Sequence, residues 1–332
     1  MSKVRVAVVG LGDFGRLHVD ILSRLPGVEL VALVSRSEAR ARELADIYHV
    51  KNTFTNQEEM FAKLQIDAVH VVNEDNRHLV PTMTALQNGA HVFVEKPLSH
   101  DLNEAVQMIA EAKRLNRKFM VGHVLRFDSR CAAVKDKIQK GELGKVVTVY
   151  GRRNMCKDFL DVYRFANRLF TTGVHEIDLI LWYFEGRQPV EVYMKTMNVF
   201  GKGDDVFWGM ITMEDGSLGV IETNWTLPSA TPWRGHILLE VNGTKGCALA
   251  EVPGNGLSFW TDSQVLIPDT SYWPSVHGAV VGALRDEIAY FINCLLNDRP
   301  VEIPKTEDVL IGLRVAHALI QSASGNRPVR LE

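Results

Sequence analysis

The chain is poor in most features that would mark a specialised class. Its 332 residues include four cysteines, Cys131, Cys156, Cys247 and Cys294, far apart and with no C-x-x-C pair. That excludes a disulfide-stapled scaffold and leaves reduced, mostly structural thiols in a cytoplasmic protein. The 11 histidines make no H-x-x-x-H or H-E-x-x-H pair, and no Cys/His cluster has ligand spacing, so no metal is expected. Neither sign of charge dominates: 37 Lys and Arg stand against 40 Asp and Glu. A net charge of -3 gives no reason to expect nucleic acid or an anionic membrane as partner. No apolar run approaches the roughly 20 residues needed to span a bilayer. The first residues read as a core strand rather than a signal peptide. Tandem repeats and low-complexity tracts are missing too. What remains is a chain that is 46% hydrophobic, suited to a globular protein of about two domains.

The strongest positive signal lies at the start. Val4 to Val9 is an apolar, β-branched run of the kind buried on both faces at the centre of a parallel sheet. It leads directly into Gly10-Leu11-Gly12-Asp13-Phe14-Gly15, after which Leu17, Ile21, Leu22 and Leu25 recur at helical spacing. Strand, G-x-G-x-x-G and helix together form a dinucleotide-binding signature. Gly10 permits the tight turn, Gly12 lets the backbone approach a pyrophosphate, and Gly15 allows close helix packing. The anion would sit at the helix N-terminus, where unpaired N–H groups and the dipole favour it.

A second strand, Leu30 to Val34, ends in Ser35-Arg36-Ser37, followed by a helix over Glu38 to Tyr48. An acidic residue at this strand end would bind a ribose 2′-hydroxyl. Ser35 takes its place, with Arg36 next and Arg40 one turn on, which favours a 2′-phosphate and so NADP over NAD. The alternative is that both arginines only solvate the helix while Ser37 caps it. Further strands are expected at Ile66–Val72, His91–Val94 and Phe119–Gly122, with helices between them. This alternation predicts a doubly wound parallel sheet. Ligands collect at the carboxyl ends of such strands. Ser35 and Arg36, the loop Asn73-Glu74-Asp75-Asn76-Arg77-His78, Glu95 with Lys96, and His123 to Arg126 should therefore line one crevice.

Beyond Gly122-His123 the periodicity changes, giving expected domains over 1–122 and 123–332. Lys145–Arg153, Val190–Val199, Asp205–Met213, Ser217–Thr226, Arg234–Val241 and Gly246–Val252 read as strands. Turn signals at Glu214-Asp215-Gly216 and Asn242 to Gly246 suggest a mostly antiparallel sheet with helices on one face. Helices are expected over Phe127–Gln139, Val174–Tyr183, Ala279–Leu296 and Glu307–Ser322.

Several residues could carry chemistry. Lys96, on the loop after a parallel strand and stiffened by Pro97, can reach substrate oxygen and cofactor together. His175 and Asp178, three apart, share a helix face, so the carboxylate could fix the imidazole for general acid/base work. His175 could equally be a hydrogen-bonded core or capping residue, and Asp178 could simply favour the helix N-terminus. Arg126 could bind ligand oxygens or brace Asp128. Arg152, Arg153 and Asn154 could recognise a polar substrate or form salt bridges between domains. Tyr163-Arg164 and Trp233-Arg234 are weaker candidates of the same kind.

In that order, the fingerprint Gly10 to Gly15, the tripeptide Glu95-Lys96-Pro97 and Gly173-x-His175-x-x-Asp178 resemble the glucose-fructose oxidoreductase, inositol dehydrogenase and rhizopine-catabolism (Gfo/Idh/MocA) family over essentially the whole chain. The resemblance implies a Rossmann domain and a C-terminal α/β domain whose open sheet forms a homodimer or homotetramer interface. It also implies reversible hydride transfer between NAD(P) and a sugar, cyclitol or related polyol. Lys96 and His175 match the family's catalytic lysine and histidine. Thr171 stands where the family usually has an aspartate, so a hydroxyl replaces a charge there. The loop Asn73 to His78 departs from the usual small-residue and proline pattern, although His78 is in its usual place. Two other readings fit the same frame: an NAD-dependent glycoside hydrolase-type activity, and a non-catalytic NAD(P)- or sugar-sensing regulator.

Overall fold

The computed structural model describes residues 3–163, 167–201, 203–252 and 256–331. The chain forms two compact units, one of 1–127 with 270–310 and one of 128–269 with 311–332. The first piece of the first unit runs to Phe127, and the segment 270–310 returns to that unit. It returns because the helix Ala283–Leu296 packs against the first strand and the first helix.

The first unit is built on a six-stranded parallel sheet. Its strands are β1 (Val4–Val9), β2 (Val28–Val34), β3 (Asn52–Phe54), β4 (Ala68–Val71), β5 (His91–Glu95) and β6 (Phe119–Gly122). They lie in the order β3-β2-β1-β4-β5-β6, so β1 is central and the strand order reverses beside it. Val6, Ala7 and Val8 have no exposed surface, as the unbroken apolar run required. Five helices connect the strands: α1 (Asp13–Arg24), α2 (Glu38–Tyr48), α3 (Gln57–Lys63), α4 (Leu79–Gln87) and α5 (Leu102–Arg114). Ser37 caps α2, its hydroxyl accepting from the Arg40 amide at 3.3 Å. Asp101 caps α5, its carboxylate accepting from the Asn103 amide at 2.7 Å. Strand β3 and helix α3 are additions to the sequence reading. With three residues, β3 is too short for periodicity to show, and Asn56 caps α3 by accepting from the Glu59 amide at 2.8 Å.

The second unit contains α6 (Ser129–Gln139), β7 (Val146–Cys156), a short α7 (Phe159–Val162), α8 (Val174–Tyr183), β8 (Pro189–Met197), β9 (Val206–Met213), β10 (Leu218–Leu227), β11 (Gly235–Gly243) and β12 (Cys247–Val252). Helix α9 (Ala283–Leu296) belongs to the first unit, and the chain closes through α10 (Thr306–Gly325). The seven-stranded sheet runs β12-β11-β7-β10-β9-β8 and ends on the strand Val329–Arg330. It is mixed, because β7 and β10 pair in parallel while the other neighbours are antiparallel.

Register divides the faces of this sheet. The row Ala250, Leu239, Gly151, Ile221, Gly209 and Met194 lies on the covered side. A Cβ at Gly151 would stand 2.9 Å from the Glu176 side chain of α8, and one at Gly209 would stand 3.1 Å from Leu319 of α10. The neighbouring row Leu249, Glu240, Tyr150, Val220, Met210 and Tyr193 lies on the opposite, open face. Leu249, Met210 and the adjacent Trp208 are exposed there.

All four cysteines are free thiols, as expected. Burial pushes the Cys131 thiol up to about 12, so it stays protonated.

Candidate active site

In the first unit the three fingerprint glycines are each required, for different reasons. Gly10 has φ +95°, and a Cβ there would lie 2.4 Å from the Asn73 backbone nitrogen. A Cβ on Gly15 would fall 2.0 Å from the Gly10 carbonyl oxygen, so only glycine lets α1 pack on the turn. A Cβ on Gly12 would meet nothing within 4 Å: the space above it is open. Gly12 also precedes α1 with no side-chain cap, so the first N–H groups of that helix have no capping side chain. Open space over an uncapped helix start fits the pyrophosphate of a dinucleotide.

The loops after β2 and β4 follow the strands that flank β1 and its glycine turn. Leu11 is buried, and its carbonyl accepts from Arg40 Nε at 3.1 Å, while Arg40 Nη1 pairs with Glu43 at 2.9 Å. Ser35 Oγ accepts from the Ser37 amide at 3.2 Å. Arg36, exposed after β2, pairs with Glu74 after β4. Asp13 is exposed at the helix start, whereas Phe14 packs edge-on against Trp273, ring centroids 5.3 Å apart. Trp273 was missed by sequence reading because it lies far along the chain.

The loop from Asn73 to His78 is pinned from within and from outside. Asn73 Nδ2 donates to the Arg77 carbonyl at 2.9 Å, and Asn76 is exposed at its tip. The buried His78 places Nδ1 2.9 Å from the Pro97 carbonyl and Nε2 3.3 Å from the Asn73 carbonyl. Burial lowers the His78 pKa, so the ring is neutral and can donate to only one carbonyl. The shorter contact assigns that proton to Nδ1. This ties the β4 loop to the loop of Lys96 and Pro97, a cis peptide.

A second tie was also missed: Asp75 lies 3.1 Å from His100. Burial pushes the Asp75 carboxyl up, but the His100 imidazole, with His78 and Lys96 nearby, outweighs it and holds the pKa below the usual carboxylate range. Lys96 itself is half-buried on this loop.

Two residues expected to contact ligand, Glu95 and Arg126, have protein partners in this unit. Glu95 faces inward rather than into the crevice. Its Oε2 accepts from the Lys96 amide at 3.2 Å, and Oε1 stands 3.2 Å from His18 Nε2 of α1. A Cβ on Gly122 would come within 2.7 Å of the same carboxylate, so Gly122 leaves room for it. His18 Nδ1 in turn meets His70 Nδ1 at 3.2 Å, and burial keeps His70 neutral, its pKa well below the ordinary value. Glu95 is the last residue of β5, whereas Lys96 is already on the loop. Arg126 is buried and donates to Asp308 at 3.1 Å, while Asp128, the alternative to a ligand as its partner, is held by Arg130 at 2.7 Å. His123, beside it, is buried as well, its amide donating to the Val121 carbonyl.

In the second unit, His175 is half-exposed in the first turn of α8, and Asp178, one turn on, is buried. The helix is entered through a π turn, Leu169–Gly173. In it, Thr171 donates its hydroxyl back to the Asn167 carbonyl at 3.1 Å, and Thr172 is held by Thr223 and Trp225 at 2.9 and 3.1 Å. Such turns recur at functional sites.

Arg153 and Asn154 point to opposite faces of β7. Arg153 is buried beneath α8 and pairs with Glu176, the residue after His175, at 2.8 Å. Asn154 lies on the open face, where Nδ2 donates to Glu222 at 2.7 Å and Oδ1 accepts from the Asn224 amide at 3.0 Å. The two residues expected to contact substrate thus have protein partners here, Arg153 on α8 and Asn154 within the sheet. Arg164 lies outside the described residues. Lys96 and His175 fall in different units. Among the described residues no cluster of His, Cys, Asp or Glu could hold a metal, and no helix is long and apolar enough to cross a membrane.

Comparison with known proteins bears on this geometry. Residues 4–123 match the model of the GFO/IDH/MocA oxidoreductase family, NAD-binding Rossmann fold, and residues 131–249 match the GFO/IDH/MocA C-terminal domain. The chain is 26% identical to myo-inositol 2-dehydrogenase of Thermotoga maritima, with 99% of each chain covered. It is 27% identical to scyllo-inositol 2-dehydrogenase (NAD(+)) of Bacillus subtilis, over 99% of this chain and 97% of that one. Its fold is similar to a crystal structure of scyllo-inositol dehydrogenase from Lactobacillus casei with bound NAD(H) and scyllo-inositol, with a TM-score of 0.84, 22% identity and 99% of both chains covered.

Proposed function

The chain belongs to the GFO/IDH/MocA oxidoreductase family, and from that premise we propose that it transfers a hydride between NADP, or NAD, and the CH–OH or C=O group of a cyclitol or related polyol. One observation carries the cofactor half: the open, uncapped helix start above Gly12, framed by two glycines that no other residue could replace. Ser35 at the end of β2, with Arg36 and Arg40 beside it and no carboxylate at that position, supports NADP. The inositol dehydrogenases among the relatives support a cyclitol as substrate.

When bound, the nicotinamide supplies the hydride acceptor or donor. His175 takes the hydroxyl proton as hydride leaves the same carbon, and returns it in the reverse direction. Lys96 holds its ammonium on the reacting oxygen and lowers the pKa of the alcohol. Thr171 contributes a hydroxyl to substrate and carries no charge. The pair Arg153–Glu176 fixes the helix that carries His175. The apolar side chains on the open sheet face, Trp208 and Met210 among them, support a homodimer or homotetramer through that face.

Fluorescence titration with NADPH and NADH, followed by a cyclitol and sugar screen with the tighter cofactor, tests the reading. Binding of neither cofactor, or binding without turnover of any polyol, would overturn it.

A further inference from the structure

We infer that Glu74 sets the cofactor selectivity of this chain by competing with a ribose 2′-phosphate for Arg36. This rests on the reading of the crevice above Gly10 to Gly15 as a dinucleotide site. In the sheet, β1 lies between β2 and β4. Arg36 follows the end of β2 and Glu74 follows the end of β4, yet their side chains pair. The pair therefore reaches past the carboxyl end of β1, where the glycine turn begins. The backbone beneath it is fixed: the β4 loop abuts Gly10, and His78 ties that loop to Pro97.

The other basic residue at this strand end is placed differently. Arg40 is anchored on the Leu11 carbonyl of the glycine turn and on Glu43 of its own helix. Arg36 instead pairs with a carboxylate from the loop after β4, beyond the turn. The side chains of Arg36 and Glu74 are 69% and 52% exposed, so the pair is weak and opens readily. It cannot bar a dinucleotide from entering. What it does is put a carboxylate beside the cation that a 2′-phosphate needs. A 2′-phosphate must displace Glu74 from Arg36 and then remain near its charge. A 2′-hydroxyl can donate to Glu74 with the ion pair left intact. The sequence signal for NADP at Ser35-Arg36 is thereby offset by a carboxylate 38 residues further on.

The experiment is a thermodynamic cycle read by NADPH and NADH fluorescence titration of the full chain, using wild type, Glu74→Gln, Arg36→Ala and the double variant. Both positions are exposed, so folding is not at stake, and thermal unfolding checks this. Glu74→Gln should tighten NADPH about five-fold, the scale of one exposed charge pair, and leave NADH within about two-fold. The gain should vanish when Arg36 is already alanine, because the competitor then has nothing to compete for. Equal effects on both cofactors, no effect on either, or the same NADPH gain with Arg36 replaced would each overturn the inference. If wild type binds neither nucleotide, the dinucleotide reading itself falls, and this inference with it.

Discussion

The two units treat polar side chains in opposite ways. In the first, the parallel sheet ends its strands in loops, and Ser35, Arg36, Glu74, Asn76 and Lys96 stand on those loops at least partly exposed. In the second, Arg153 and Asn154 sit inside a mixed sheet, where each finds a carboxylate within 2.8 Å. A polar residue just past the end of a parallel strand is presented to a ligand, whereas one within a strand is engaged by its neighbours. Glu95 marks the border: still the last residue of β5, it turns into the protein, and Lys96, one step later, does not.

If that contrast is right, replacing a presented residue should cost activity and replacing an engaged one should cost stability. Lys96→Ala should lower turnover about a thousand-fold, at the strong end for one lost electrostatic contact to the reacting oxygen, with NADPH affinity within a few-fold. A collapse of cofactor affinity in titration would make Lys96 a phosphate contact instead. Arg153→Met leaves Glu176 buried without its guanidinium and should cost about 3–5 kcal/mol in denaturant unfolding. Unchanged stability with a raised KM would return Arg153 to the substrate site. Arg36→Ala should weaken NADPH about ten-fold and NADH hardly at all, an effect on the scale of a charge-assisted phosphate contact. Equal weakening of both would remove the 2′-phosphate argument.

The smallest effect concerns pH. His91 Nδ1 accepts from the Lys118 amide at 2.8 Å, and burial, with Arg117 and Lys118 nearby, lowers its pKa to about 4. The unfolded chain then binds the proton more readily than the folded one. Stability should fall as pH drops from about 6.5 to about 4, and be unaffected by this group above that window. The thermal midpoint of His91→Gln should lose less over the same range, and an equal slope in both proteins would refute the assignment.

Much of the first unit was legible because its signals are local. The run Val4–Val9, the three glycines and the alternation of strand and helix are each contained in a few residues. The edge strand β3 was not, since three residues carry no period, although the Asn56…Glu59 cap of the next helix was there to be read. The parallel pairing of β7 with β10 joins residues about 70 apart, and nothing in either strand announces it. The positions of Lys96 and His175 in the chain were legible. The partners around them, Asp75 with His100 and Arg153 with Glu176, depend on which loops and faces meet. So does the return of 270–310 to the first unit, which brings Trp273 to Phe14.

The π turn at Leu169–Gly173 gives this family member a dial. A π turn holds one residue more than an α turn, and each residue of a helix advances about 100° around its axis. Deleting a single residue there would let the helix close into ordinary α geometry and rotate everything upstream by that angle. His175 would stay where it is while a different side chain took the station of Thr171. One residue lost or gained there thus changes which side chain precedes His175 at the helix entry without displacing His175 itself.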